Sequence, residues 1–265
     1  MATAGGRRTI RQHLDDGGVA LGVLDSAYSP TLVELYGELG VDFVWIDLEH
    51  GGPSPDGPEL EHLLRAAERS GTDLLVRTPD TDPTTVRKCL DLGVRSLFLP
   101  RVESAHEVSK AVKSARFRVD GVPGDRGLAS PRASRWGTVD DYVDREDRET
   151  LVGTTVETRA AVDDIDNILE VPELGFVFVG PFDLSVALGH PGEVDHPAVQ
   201  DAVETVVSAA LAADVPVGGL GFGMDDVNEK VDAGYRILNM GSTTGALTAA
   251  VRDWFDAYDG DRSGE

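Results

Sequence analysis

Asp73-Leu74-Leu75-Val76-Arg77-Thr78 is followed by Asp82-Pro83, a helical stretch that stops at Gly93, and then Ser96-Leu97-Phe98-Leu99-Pro100-Arg101. A short apolar run, a helix with a start and a stop signal, and a second apolar run make one strand–helix–strand unit. The runs are continuous rather than alternating, as expected for parallel strands buried on both faces. Pro83 stands in the first turn, where its missing N–H is not needed, and Gly93 supplies the stop. The unit recurs along the chain. Strands are expected at 20–25, 43–49, 73–78, 96–101, 151–158, 176–180, 215–219 and 237–241. Helices are expected at 30–40, 58–70, 83–93, 104–115, 158–169, 197–213, 225–233 and 243–258. Eight such alternations predict an α/β fold, a (β/α)8 TIM barrel running as a single domain over residues 1–265. A doubly wound open sheet is the other architecture compatible with the pattern.

Two segments break the rhythm. Residues 116–150 are long for a connection and carry Gly121, Pro123, Gly124, Gly127, Pro131 and Gly137 beside Arg126, Arg132, Arg135 and Trp136. A connection of that length is expected to serve the active site or an interface. The second is 182–195. Residues 259–265 read as a frayed tail.

The chain of 265 residues has 24 Lys plus Arg against 47 Asp plus Glu, a formal net charge of −23. Such a surface is repelled by phosphate backbones and anionic lipid, so nucleic acid and membrane are excluded as partners. Only Lys88, Lys110, Lys113 and Lys230 are lysines. An acidic, lysine-poor composition is the one expected of a halophile, where salt screens self-repulsion. The single cysteine, Cys89, rules out an intrachain disulfide and reads as a small buried apolar group. The first 18 residues are polar and lack the apolar segment of a secretory leader, and no run approaches membrane-spanning length. A cytoplasmic location is the expectation.

In a barrel the reactive groups sit at the C-terminal ends of the strands. There the sequence places Asp47, Glu49, His50, Arg77, Arg101, Glu157 and Asp183. Glu157 and Asp183, from adjacent strand ends, form a hard-cation pair that suits Mg2+ or Mn2+, with water and substrate oxygens completing the shell. They are equally readable as an acid/base pair or as helix caps. Arg77 needs an anion, either a substrate carboxylate or oxyanion, or Asp47 or Glu49. Asp47 and Glu49 share a strand face, and either could orient His50. All four lysines fall on outer helices, so no Schiff-base lysine is expected at the mouth. Gly219-Leu220-Gly221-Phe222-Gly223 lacks dinucleotide spacing, so no nucleotide cofactor is expected, and it reads as a flexible loop over the mouth. His13, His62, His106, His190 and His196 read as surface residues.

Several stretches together resemble the HpcH/HpaI aldolase family, the metal-dependent (class II) pyruvate aldolases. They are Asp42 through His50, Leu75-Val76-Arg77, Asp82-Pro83 with Leu90-Asp91-Leu92-Gly93, and Leu99-Pro100. Arg126-Gly127, Arg132-Ala133-Ser134-Arg135-Trp136, Val156-Glu157-Thr158-Arg159 and Gly180-Pro181-Phe182-Asp183-Leu184-Ser185 complete the set. The resemblance covers nearly the whole chain in order. It implies a carbon–carbon lyase that cleaves a 4-hydroxy-2-oxo acid to pyruvate and an aldehyde, reversibly, through a stabilised enolate. It implies a divalent cation (Mg2+, Mn2+ or Co2+) on Glu157 and Asp183, and Arg77 at the pyruvyl oxygen. His50 falls at the acid/base position, with Asp47 and Asp91 associated with it. The backbone around Phe182 falls where the pyruvate carboxylate is held.

The family assembles as a homohexamer, a trimer of dimers, so a neighbouring subunit is expected to bear on the mouth. Thr155 stands where the family often has glutamine, and Phe182 where a small residue is common. Both lie beside the pyruvate site and bear on substrate choice. An aspartate that some members carry is absent from Asn239 through Thr243. The readings to be weighed against this one are a related lyase acting on a CoA thioester or citrate-type substrate, and a non-catalytic barrel that binds a small acid.

Overall fold

A computed structural model describes residues 8–258. The tail expected at 259–265 lies outside them. Eight parallel strands close into a barrel in sequence order. They are β1 (Ala20–Leu24), β2 (Phe43–Asp47), β3 (Asp73–Arg77), β4 (Ser96–Leu99), β5 (Leu151–Val156), β6 (Phe176–Val179), β7 (Val217–Leu220) and β8 (Tyr235–Ser242). All eight expected strands are present, and the sheet is closed rather than open and doubly wound.

Helices α1 to α12 are Ile10–Asp15, Pro30–Leu39, Pro58–Ser70, Pro83–Leu92, Ala105–Ala115, Tyr142–Glu149, Arg159–Asp163, Ile165–Leu169, Pro181–Ala187, Pro197–Ala212, Met224–Asp232 and Thr243–Asp256. Their boundaries follow local chemistry. Asp82 caps α4 by accepting the Thr84 N–H at 2.6 Å, and Gly93 ends it at φ 112°. The single helix expected at 158–169 is two short ones. Asp164 breaks it at φ −102°, ψ 13°, and its carboxylate accepts the Ala105 N–H instead.

Apolar strand faces pointing outward pack against the helices, and those pointing inward fill the barrel. The inner filling is aromatic: Trp45 lies 5.4 Å from Phe98 and 5.5 Å from Phe178, both edge-on. Glycine makes room for it. A Cβ on Gly153 would stand 2.4 Å from the Phe176 ring, so large and small residues alternate across the barrel. At the N-terminal end, α1 closes the floor. Its Ile10 is fully buried in the inner cluster, and the Ile10 N–H is fixed to Asp73 at 3.2 Å.

Residues 116–150, expected as a long connection, contain regular structure of their own. They hold a two-stranded hairpin, a 3-10 turn at Arg132–Ser134 and α6. They join the end of α5 to the start of β5, at the base of the barrel. Glu146 of α6 is fully buried there and receives Arg95 at 3.0 Å, Arg126 at 3.1 Å and Arg145 at 3.2 Å. No residue of the segment lines the mouth cavity, so within one chain it is not an active-site loop. Among the described residues no helix is long and apolar enough to cross a membrane.

Candidate active site

The strand ends meet around a cavity of about 290 Å³ at the C-terminal mouth. Its floor is Trp45, Phe98 and Phe178, and its polar wall is His50, Arg77, Thr155, Glu157 and Asp183. Phe182 lines it too. Of the residues expected from sequence, the fold brings all these together.

Asp47 and Arg77 pair because β2 and β3 set them directly opposite in register. The Arg77 guanidinium donates to Asp47 at 2.8 and 2.6 Å, a two-pronged contact. Burial opposes ionisation of Asp47, but the Arg77 bonds outweigh it and hold the carboxyl below its ordinary range. Asp47 is therefore committed to Arg77 and is not free to orient His50. Glu49 takes that place, with its Oε2 at 3.9 Å from His50 Nε2 and 2.9 Å from Arg77 Nη1. The same Oε2 is buried and makes no hydrogen bond, and burial pushes the Glu49 carboxyl up despite Arg77. His50 itself is open to solvent, its side chain 62% exposed.

Glu157 directly follows β5 and is almost fully buried. Its Oε1 accepts the Arg101 N–H at 2.6 Å. That donor is aimed by a left-handed turn at Arg101, φ 49°, a strained state for a non-glycine residue. Burial pushes the Glu157 carboxyl up to about 7, with Asp183 and Glu49 adding repulsion. Gly180 is fixed by the same crowding: a Cβ there would stand 2.9 Å from Glu157 Oε2. Asp183, expected just ahead of a helix, lies inside the first turn of α9, with Arg101 Nη1 at 3.8 Å.

The donor set fits a hard divalent cation. Two carboxylates crowd one cavity, and burial disfavours the charge of Glu157 until a cation answers it. The buried Thr155 Oγ1 and Trp45 Nε1 lack any hydrogen-bond partner, although both residues line the cavity. Buried polar atoms of that kind call for a ligand or ordered water. Among the described residues there is no cluster of three or more His, Cys, Asp or Glu fit for a metal. Glu157 and Asp183 would thus need water or substrate oxygens to complete a shell, as the sequence reading required.

Asp91 is the expected residue that the fold does not bring to the mouth. It sits near the C-terminal end of α4, and a helix that leaves the top of β3 ends at the base. Its charged neighbours are Arg126, Arg87 and Glu146. Association with His50 is not made within one chain. All four lysines lie on helices, as expected, and so away from the cavity wall.

Two mouth residues, Trp45 and Tyr28, escaped the sequence reading. Trp45 lies under the Arg77 guanidinium, 5.3 Å from its ring centroid. The Arg101 backbone serves Glu157. Tyr28, in the β1–α2 turn at φ 51°, has its hydroxyl held un-ionised by burial and by the charges of Asp47 and Asp25. The strand-end rule places Arg101 at the mouth but does not say that its backbone N–H rather than its side chain would meet Glu157. Nothing in the sequence marked Tyr28.

The family profile described as HpcH/HpaI aldolase/citrate lyase matches residues 22–250. The 5-keto-4-deoxy-D-glucarate aldolase of Salmonella newport (strain SL254) is 32% identical over 241 residues, covering 91% of this chain and 92% of its own. An HpcH/HpaI aldolase/citrate lyase family protein from Burkholderia cenocepacia J2315 superposes with a TM-score of 0.86 at 31% identity, covering 93% of this chain and 97% of that one. The HpcH/HpaI aldolase of Desulfitobacterium hafniense DCB-2 gives a TM-score of 0.85 at 27% identity, covering 97% and 99%. With the barrel and its carboxylate-lined mouth, these similarities establish that the chain belongs to the HpcH/HpaI aldolase/citrate lyase family and is a carbon–carbon lyase.

Proposed function

We propose that this lyase is a class II pyruvate aldolase. In this reading it cleaves a 4-hydroxy-2-oxo acid to pyruvate and an aldehyde and runs the aldol addition in reverse. The observation that carries the reading is the meeting of Glu157, Asp183, Arg77 and His50 around one cavity. Glu157 and Asp183 would hold the divalent cation (Mg2+, Mn2+ or Co2+), which supplies Lewis acidity to the keto and carboxylate oxygens of a 2-oxo acid.

The chain's own groups do the rest. Arg77, fixed by Asp47, presents positive charge where the keto oxygen gains charge in the transition state. Because Asp47 and Glu49 pre-orient the guanidinium, little reorganisation is needed when the charge develops. His50 is the base that removes the C4 hydroxyl proton as the C3–C4 bond breaks, directly or through water. Glu49 is its positioning partner. The Trp45–Phe98–Phe178 floor keeps water from beneath the enolate. The backbone at Phe182 and the Thr155 hydroxyl face the 2-oxo acid.

Asp91 has a role at His50 only if a neighbouring copy presents its base to this mouth, and the expected hexamer supplies that arrangement. The same assembly gives residues 116–150 a place as an interface. A CoA-type substrate is less well served, since no lysine lines the cavity to meet its phosphates. The acidic, lysine-poor surface supports assay in high salt.

Pyruvate release should stop in chelator and return on adding Mg2+, Mn2+ or Co2+; full activity in chelator defeats the reading. Borohydride with pyruvate should leave the protein mass unchanged, because no lysine lines the cavity. A covalent adduct would show Schiff-base chemistry instead.

A further inference from the structure

Phe182 and Phe222 stand at the mouth on the side of β6 and β7, across the barrel from Arg77 at the end of β3. Both are exposed, 48% and 56%, yet their rings meet edge-on with centroids 6.0 Å apart and planes at 78°. A lone exposed aromatic needs no explanation, but one from the first turn of α9 and one from the β7–α11 turn, in contact at a cavity rim, form an apolar surface.

Each ring is posed by its own turn. The Phe182 carbonyl accepts the Ser185 hydroxyl at 2.6 Å. The Phe222 N–H donates to Asp226 at 2.8 Å. Lys230 grips both oxygens of that Asp226, at 2.6 and 2.5 Å, and lies 5.1 Å from the centre of the Phe222 ring. Leu220 and Pro181 line both the mouth cavity and a second cavity of about 260 Å³, and Phe222 lines the second, so its contact with Phe182 bridges the two.

The charges on this side point the same way. Lys230 is taken by Asp226, and Arg101, from the β4 side, leans on Asp183 at 3.8 Å. Asp183, Asp195 and Asp226 line the two cavities. A second carboxylate on the substrate would meet these anions with Lys230 already engaged. An apolar substituent would cover both rings.

We propose that Phe182 and Phe222 form an apolar clamp for the part of the substrate remote from its 2-oxo acid group. The aldehyde handled best then carries an uncharged aliphatic or aromatic substituent. This rests on the aldolase reading, and the two can fail separately.

Exchange of the pyruvate methyl protons in D2O, followed by NMR with wild-type protein and Mg2+ in high salt, tests the aldolase reading alone. Absence of exchange defeats that reading and this one with it. Given exchange, initial rates of addition are measured with benzaldehyde, glycolaldehyde and glyoxylate, and products are identified by mass. Benzaldehyde should exceed glyoxylate in kcat/KM at least about tenfold. Phe222→Ala should lower the benzaldehyde-to-glycolaldehyde ratio roughly tenfold, and Phe222→Leu should restore most of it. A wild-type preference for glyoxylate overturns the clamp, as does an unchanged ratio in Phe222→Ala. A changed molar mass in solution with an unchanged ratio overturns it too, and makes the rings an interface.

Discussion

The barrel carries two buried arginine–carboxylate networks, one at each end, and they are built with opposite signs. At the base, one carboxylate, Glu146, is surrounded by the guanidiniums of Arg95, Arg126 and Arg145. Arg126 also stacks on Phe117 at 4.8 Å. At the mouth, one guanidinium, Arg77, faces Asp47 and Glu49, with the Glu157 charge close by. Asp183 adds a further carboxylate to that cavity. At the base the guanidiniums outnumber the carboxylates, even with Glu149 meeting Arg95 at 3.2 Å. The mouth has more negative charge than its arginine satisfies and is left open. A folded chain tolerates the second arrangement only at some cost in stability, and such costs collect at functional sites.

Breaking each network should therefore give different symptoms. Asp183→Ala should lower pyruvate release on the order of a thousandfold, read by steady-state kinetics, with the urea midpoint kept or raised. An unchanged rate would make Asp183 a mere helix residue. Glu146→Gln should do the opposite and cost about 3–5 kcal/mol of stability in urea unfolding, because three guanidiniums lose their anion. A midpoint equal to wild type would show the base network to be ornamental.

Arg77→Met should lower kcat by about a hundredfold, and Arg77→Lys should recover only part, since a point charge cannot make the two-pronged contact to Asp47. Full recovery by lysine would show that charge alone matters.

A smaller effect is expected from pH. The folded Glu157 carboxyl is raised to about 7, above its unfolded range. The native state then holds a proton that the unfolded chain has released, so this group's contribution to stability falls as pH rises from about 4.5 to about 7. Mg2+ should consequently raise the thermal midpoint more at pH 8 than at pH 5. At a hundredfold excess over its dissociation constant the gain is about 2.7 kcal/mol. Equal shifts at both pH values would remove Glu157 from the cation site. The smallest effect should come from Lys88→Ala, which breaks an exposed pair with Asp56 and should leave the melting midpoint within error.

The strands were legible because burial on both faces demands continuous apolar runs, which no helix surface imitates. Helix α6 was not, because Tyr142–Glu149 is nearly all charged and only Tyr142 and Glu146 are buried. Its packing depends on a buried carboxylate, which apolar periodicity cannot reveal. At the mouth, the strand-end rule picked out Asp47, Glu49, Arg77, Glu157 and Asp183. It could not say that Arg77 would take both Asp47 and Glu49, since the first follows from strand register and the second from the turn after β2. That Asp91 stands away from the mouth of its own chain was hidden for a related reason. A motif matched along the chain carries no record of which end of the barrel a helix terminus occupies.

With Ile10 in the inner cluster beneath its aromatic floor, the cavity is closed toward the N-terminal end of the barrel and is reached from the strand-end side. If the proposed aldolase reading holds, a 2-oxo acid bound at the polar wall has to arrive before an aldehyde bound nearer the rim. Departure then runs the other way, with aldehyde first and pyruvate last. Steady-state rates should accordingly follow a compulsory order, in which pyruvate inhibits cleavage competitively against the substrate and the aldehyde does not.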